Sequence, residues 1–319
     1  MAGTWRSARR RILTPNVSAT RLDVRGFHAK SDAATQLLES IGRTFLEGFA
    51  AVAQARGPVQ AHPELEAVPP PLRGFAYEGA AMACAILDAL PTPGRDRVPA
   101  LLTGPGAGHV YMTYVGVGWA MARLPRVLWS RLWAPDPLLR WLILDGYGFH
   151  EAYFHTERVV HRQRPPGDVD WPPEGYPSRV IDQGIGRALW FVEGADPDRI
   201  TATIRSFAPH RHGDLYSGAG LAATYAGGAD EDELRRFHRD AGEHRSAVAQ
   251  GSAFGAQARV RAGNVVAHTA VATEVFCGVT PEKAAAVTNA ELPDGDHADG
   301  PSYERWRQGI AAAFAGRSA

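Results

Sequence analysis

Val115-Gly116-Val117-Gly118-Trp119-Ala120 returns as Asp145-Gly146-Tyr147-Gly148-Phe149-His150 and again as Gln183-Gly184-Ile185-Gly186-Arg187-Ala188. Looser copies flank these three. Glu78-Gly79-Ala80-Ala81-Met82-Ala83 comes before them; Ser217-Gly218-Ala219-Gly220-Leu221-Ala222 and Gln250-Gly251-Ser252-Ala253-Phe254-Gly255 come after. The lead glycines stand roughly 30 to 38 residues apart, the spacing of a helical repeat array. The residue two places beyond each lead glycine is Gly or Ala in every copy. The residue four beyond is small in every copy except the third, where it is His150.

Small residues at i and i+4 share one helix face, where a missing side chain lets a neighbouring backbone approach. Glycine inside a helix is roughly 1 kcal/mol less favourable than alanine, so a recurring glycine needs an offset, and close contact between helices supplies one. Capping residues place further helices between the glycine-marked ones. Asp196-Pro197 opens a segment running to about Phe207, Asp230 one to about Asp240, and Thr280-Pro281 one to about Asn289. The expected fold is all-α: a helical-repeat array, either an α-solenoid or an α/α ring, of about six helix-pair units. A long helix is expected from Asp32 to Arg56 on the spacing of Leu37, Leu38, Ile41, Phe45, Leu46 and Phe49. Residues 1–30 read as an irregular N-terminal arm, with strand-like alternation at Arg21-Leu22-Asp23-Val24-Arg25. A Pro-rich loop at 166–177 divides a first helical half, 31–165, from a second, 178–319.

The 319 residues carry equal numbers of acidic and basic side chains, so nothing points to nucleic acid or another polyanion. The two cysteines, Cys84 and Cys277, lie in apolar helical runs and form no CxxC pair, which suits a reducing cytoplasm. The basic start lacks the apolar core of a secretory signal. The apolar stretches Val110–Leu124 and Leu138–Leu144 fall short of the ~18 residues that span a bilayer, so no stable membrane insertion is expected.

Candidate chemistry lies where side chains depart from the repeat. Tyr147, Glu151 and His155 follow at i, i+4 and i+8, so Glu151 can orient His155 as a general base. His150 occupies a packing position, and Arg187 stands where other copies carry Met, Trp, Phe or Leu. A guanidinium on a buried face needs a partner, with Asp145 and Asp182 the candidates and Gln183 within reach. The catalytic candidates are therefore His150, Glu151, His155, Asp145 and Arg187. Trp119, Tyr147, Tyr153, Gln183 and Trp190 are the candidates for lining an apolar ligand pocket. His150 and His155 are five apart, which puts them on different helix faces and argues against a zinc pair; no metal is assigned. No nicotinamide, flavin or haem motif is recognisable, and the cofactor, if any, is unknown.

The strings RGFAYEGAAM, GPGAGHVYMTYVGVGWAMARLP, LDGYGFHEAYFH, DQGIGRALWFVEGADPDRI and SGAGLAATYAGG, spread over about Phe27 to Ile310, resemble an uncharacterised bacterial family. It is a domain-of-unknown-function family encoded beside enediyne polyketide synthases, the UnbL-like accessory proteins. The resemblance implies a role in antibiotic biosynthesis, converting a linear polyene toward an enediyne core, and carries over no catalytic residues. Three alternatives stay open: an enzyme acting on a hydrophobic polyene, a non-catalytic scaffold or chaperone for the polyketide synthase and its partners, and an α/α-type cyclase of an apolar, terpenoid-like substrate.

Overall fold

The computed structural model describes residues 2–91, 94–164, 166, 167, 169, 176–294 and 300–316. The chain is all-helical, with no strand among the described residues. The glycine-marked segments lie in helices Pro70–Ala89, Val110–Arg123, Leu142–Phe154, Tyr176–Val192, His212–Ala226 and Arg245–Arg261, preceded by the long helix Asp32–Gln54.

Each of these helices packs on the next through its glycines. A Cβ on Gly116 would lie 2.2 Å from the carbonyl oxygen of Glu78, one on Gly146 2.1 Å from that of Val115, and one on Gly184 1.9 Å from that of Asp145. Gly218 meets the carbonyl of Gln183 and Gly251 that of Ser217 in the same way. The lead glycine therefore always receives the carbonyl of the residue that precedes the previous lead glycine. The second glycine faces the other neighbour: Gly118 meets Ile143, Gly148 meets Ile181, Gly186 meets Leu215 and Gly220 meets Val248. Any side chain larger than hydrogen would push the backbones apart, so the glycines recur because contact forbids anything else. Neighbouring helices run the same way: Arg179 pairs with Asp214 near the starts of theirs, and Tyr153 meets Phe191 near the ends.

Two capped helices lie between them in sequence and a third follows the last, all at the expected places. Pro197–Ser206 opens on the Asp196 side chain, Glu231–Asp240 on an Asp230/Glu233 capping box, and Pro281–Ala290 on Thr280. The N-terminal segment departs from expectation. Ala2–Leu13 is helical, and the alternation at Arg21–Arg25 forms a helical turn, not a strand. Only Leu22 of that stretch enters the core, so there is no alternate face to pair in a sheet, and Gly26 at φ 69° ends the turn. The expected loop at 166–177 lies mostly outside the described residues; across it the Gly146 and Gly184 helices pack directly. Cys84 and Cys277 are free and buried.

Candidate ligand cavity and buried acid

Because the position before each lead glycine turns toward the neighbouring helix, polar side chains there are buried. Glu78 and Asp145 both occupy it, on Pro70–Ala89 and Leu142–Phe154, and both are almost wholly buried. Arg187, three beyond its lead glycine on Tyr176–Val192, reaches both. It hydrogen-bonds Asp145 Oδ1, and its Nη2 stands 3.9 Å from Glu78 Oε1. Trp119 Nε1 donates to Glu78 Oε1 at 3.0 Å, and the Arg187 guanidinium lies 5.1 Å from the Phe149 ring centroid.

Two small cavities meet at this group, one of about 50 Å³ and one of about 60 Å³. Phe75, Arg187 and Phe191 line both. The first also includes Tyr111, Leu142, Asp145, Tyr225 and Trp306; the second includes Phe45, Glu78, Trp119, Phe149 and Tyr153. The walls are largely apolar and aromatic, and the ionisable groups converge on the partition between the two spaces. The Tyr225 hydroxyl is buried at the first cavity without a hydrogen-bond partner.

Burial pushes the Glu78 carboxyl up to about 7, against the lowering effects of Arg187 and the Trp119 hydrogen bond. Burial raises Asp145 as well, opposed by Arg187. Burial works against the charge on Arg187, but Asp145 and then Glu78 outweigh it, so the guanidinium stays charged. Two carboxyls thus flank the Arg187 guanidinium, and the Arg307 charge adds to its pull on Asp145. Asp145 has the direct hydrogen bond to Arg187, so the more distant Glu78 is the carboxyl that takes up a proton near neutral pH.

The expected residues divide between this centre and its flank. Asp145 and Arg187 form the expected pair, and Glu78 joins them. Asp182, the other candidate partner, instead pairs with Arg211. Trp119 and Tyr153 line the second cavity, and Tyr153 donates to the carbonyl of Ala19 at 3.3 Å. Gln183 is fully buried next to the group, where its amide helps lower the Asp145 carboxyl. Trp190 is fully buried and donates to the Gly227 carbonyl at 2.8 Å, and Tyr147 packs edge-on to Trp129; neither lines a cavity described here.

His150, Glu151 and His155 form a separate cluster behind the second cavity. His155 follows the last residue of the helix and keeps the helical bond from its N–H to the Glu151 carbonyl at 2.9 Å; its side chain is half exposed, with Nε2 3.8 Å from Glu151 Oε1. His150 is buried edge-on to Trp119 and against Phe154, with Nδ1 3.3 Å from Glu151 Oε1. Burial lowers the His150 pKa despite that bond. Burial pushes Glu151 up, but the His150 hydrogen bond and the charges of His150, His155 and Arg158 outweigh it and leave the carboxyl low. Glu151 is also ion-paired to Arg158.

Glu78 was visible in the sequence only as a member of a column. The residue before the lead glycine is polar in five copies (Glu78, Asp145, Gln183, Ser217 and Gln250) and Val115 in the sixth. Among the described residues no cluster of three or more His, Cys, Asp or Glu side chains is placed to hold a metal ion, and no helix is long and apolar enough to cross a membrane.

No curated protein and no solved structure matches the chain. A family match covers residues 4–314, nearly the whole sequence, and on it the chain belongs to the family described as protein of unknown function DUF1702.

Proposed function

We propose that the glycine-marked helices form a ring-like repeat array around a ligand site, and that this site takes a hydrophobic, linear polyene intermediate of enediyne-type polyketide biosynthesis in the cytoplasm. The observation that carries the proposal is the buried Glu78 carboxyl at the wall of an aromatic cavity, beside Arg187 and the unpartnered Tyr225 hydroxyl, where burial pushes its pKa up to about 7. An acid with a pKa near ambient pH is suited to both giving and taking a proton. On a polyene conjugated to a carbonyl, the ionised form of Glu78, populated alongside the acid near pH 7, removes a proton from a saturated carbon at the end of the conjugated run. The electron pair moves along the conjugated chain to the carbonyl oxygen, where Arg187 and Tyr225 supply donors. The Glu78 acid then returns the proton to a different carbon. The double bonds shift and no oxidant is consumed.

The cavities favour a second reading at one point: about 50 and 60 Å³ hold only a few carbon atoms, so a long ligand requires their walls to part. A scaffold that only presents the intermediate or its synthase would need no such opening. Complementing a gene deletion with Glu78→Gln separates the two. The proposal expects folded variant protein and the same accumulated linear precursor, by mass spectrometry, as in the deletion strain. Wild-type product from the folded variant would leave the scaffold and eliminate the acid.

A further inference from the structure

Beside the second cavity lies an open cleft of about 530 Å³ lined by Arg25, Arg158, Arg162, Arg164 and His155. Among the described residues Glu157 is the one carboxylate in that lining, so there four guanidiniums face a single negative charge, in a chain whose formal net charge is zero. Arg162 is paired with Glu157 at 2.9 Å, and Arg158 with Glu151. The Arg164 side chain makes no hydrogen bond or ion pair among the described residues, and the Nε of Arg25 is buried without an acceptor. Residues Glu157–His161 are wound as a π-helix, a departure from α geometry that recurs at functional sites.

The cleft and the cavity share a wall. Phe154 lines both. The Arg25 guanidinium lies 5.0 Å from the centroid of the Phe154 ring and 5.5 Å from that of Tyr153, which also lines the cavity. An apolar space and a cationic cleft divided by one aromatic wall fit an amphiphile: chain on one side, anionic head on the other, with the Phe154 ring turned aside. A carboxylate head would be satisfied by one bidentate arginine. Several guanidinium forks around one opening match the greater charge and additional acceptor oxygens of a phosphate.

We infer that this cleft is the binding site for the phosphate-bearing end of the ligand whose apolar chain enters the second cavity. The inference rests on the proposed role of that cavity. It is tested by calorimetric titration of the full-length protein at low ionic strength with decyl phosphate and 1-decanol, on wild type and on Arg162→Gln/Arg164→Gln, whose two side chains are exposed. Charge-assisted hydrogen bonds predict on the order of tenfold or greater tighter binding of the phosphate, abolished in the variant. Equal affinity for the two ligands, no binding of decyl phosphate, or an unaffected variant with a native circular dichroism spectrum would overturn the assignment. Butyl phosphate separates this outcome from failure of the cavity: if it binds as tightly as decyl phosphate, the cleft stands and the cavity reading falls. Titration with decyl diphosphate and with decanoyl-4′-phosphopantetheine then distinguishes a free phosphorylated ligand from a carrier-borne one, the tighter ligand naming the source.

Discussion

Replacing Gly184 with alanine sets helix propensity against helix contact. In an open helix the change stabilises by roughly 1 kcal/mol. Here the new Cβ would lie 1.9 Å from the Asp145 carbonyl oxygen and 2.8 Å from the Phe149 nitrogen, where ordinary contact begins at 3.4 Å. Both atoms are backbone, so no rotamer change relieves the clash and the two helices must part. Overpacking typically costs about 1–3 kcal/mol, and a contact this short to rigid backbone belongs at the upper end, about 2–3 kcal/mol; the propensity gain of about 1 kcal/mol leaves a net loss of about 1–2 kcal/mol. Gly213→Ala is the control. Its Cβ would meet nothing nearer than His244 Nδ1 at 3.7 Å, so it should gain up to about 1 kcal/mol. Urea denaturation followed by far-ultraviolet circular dichroism measures both changes. If Gly184→Ala proves as stable as wild type, the close-contact explanation of the recurring glycines is refuted.

Three further outcomes follow from the buried group. Glu78 binds its proton more tightly folded than unfolded, about 7 against 4.5, so its contribution is fully present below about 4.5 and falls by about 3 kcal/mol as pH rises through 7. Glu78→Gln should therefore lose that slope, and parallel wild-type and variant stability curves between about pH 5 and about pH 8 would count against a protonated Glu78. Arg187→Met leaves Asp145 buried without its cation and should destabilise by about 3–5 kcal/mol, with much of the loss recovered by adding Asp145→Asn; a single variant as stable as wild type would show the pair to be dispensable. Trp119→Phe removes a hydrogen bond that lowers the Glu78 pKa, so the midpoint of the Glu78-dependent stability change should move to higher pH, and a downward move would contradict the geometry.

The helical class and several helix starts were legible because their causes are local. A capping side chain and a following proline lie next to the helix they open, and Asp196, Asp230 and Thr280 cap where expected. The glycine spacing was legible because backbone contact tolerates no substitute. What escaped the sequence depends on how distant segments are brought together. Arg187 was marked as a buried cation in need of a partner, and Asp145 was named, but Glu78 lies 109 residues before it and meets it only through packing of the intervening helices. The Glu151–His155 spacing does bring the two side chains to 3.8 Å, because the backbone bond from His155 to the Glu151 carbonyl keeps the helical turn. What the spacing could not show is that Arg158 and the buried His150 also converge on Glu151. The cationic cleft joins Arg25 of the N-terminal arm to arginines beyond the Gly146 helix, a juxtaposition that no repeat period encodes.

A carboxyl-carbon NMR titration of protein labelled at glutamate, with the Glu78 resonance assigned by its loss in Glu78→Gln, tests the buried acid most directly. A midpoint near 7 is predicted. Titration of that carboxyl within the ordinary range, at about 4.3, would contradict a protonated acid at the cavity wall and with it the proton-transfer chemistry proposed there.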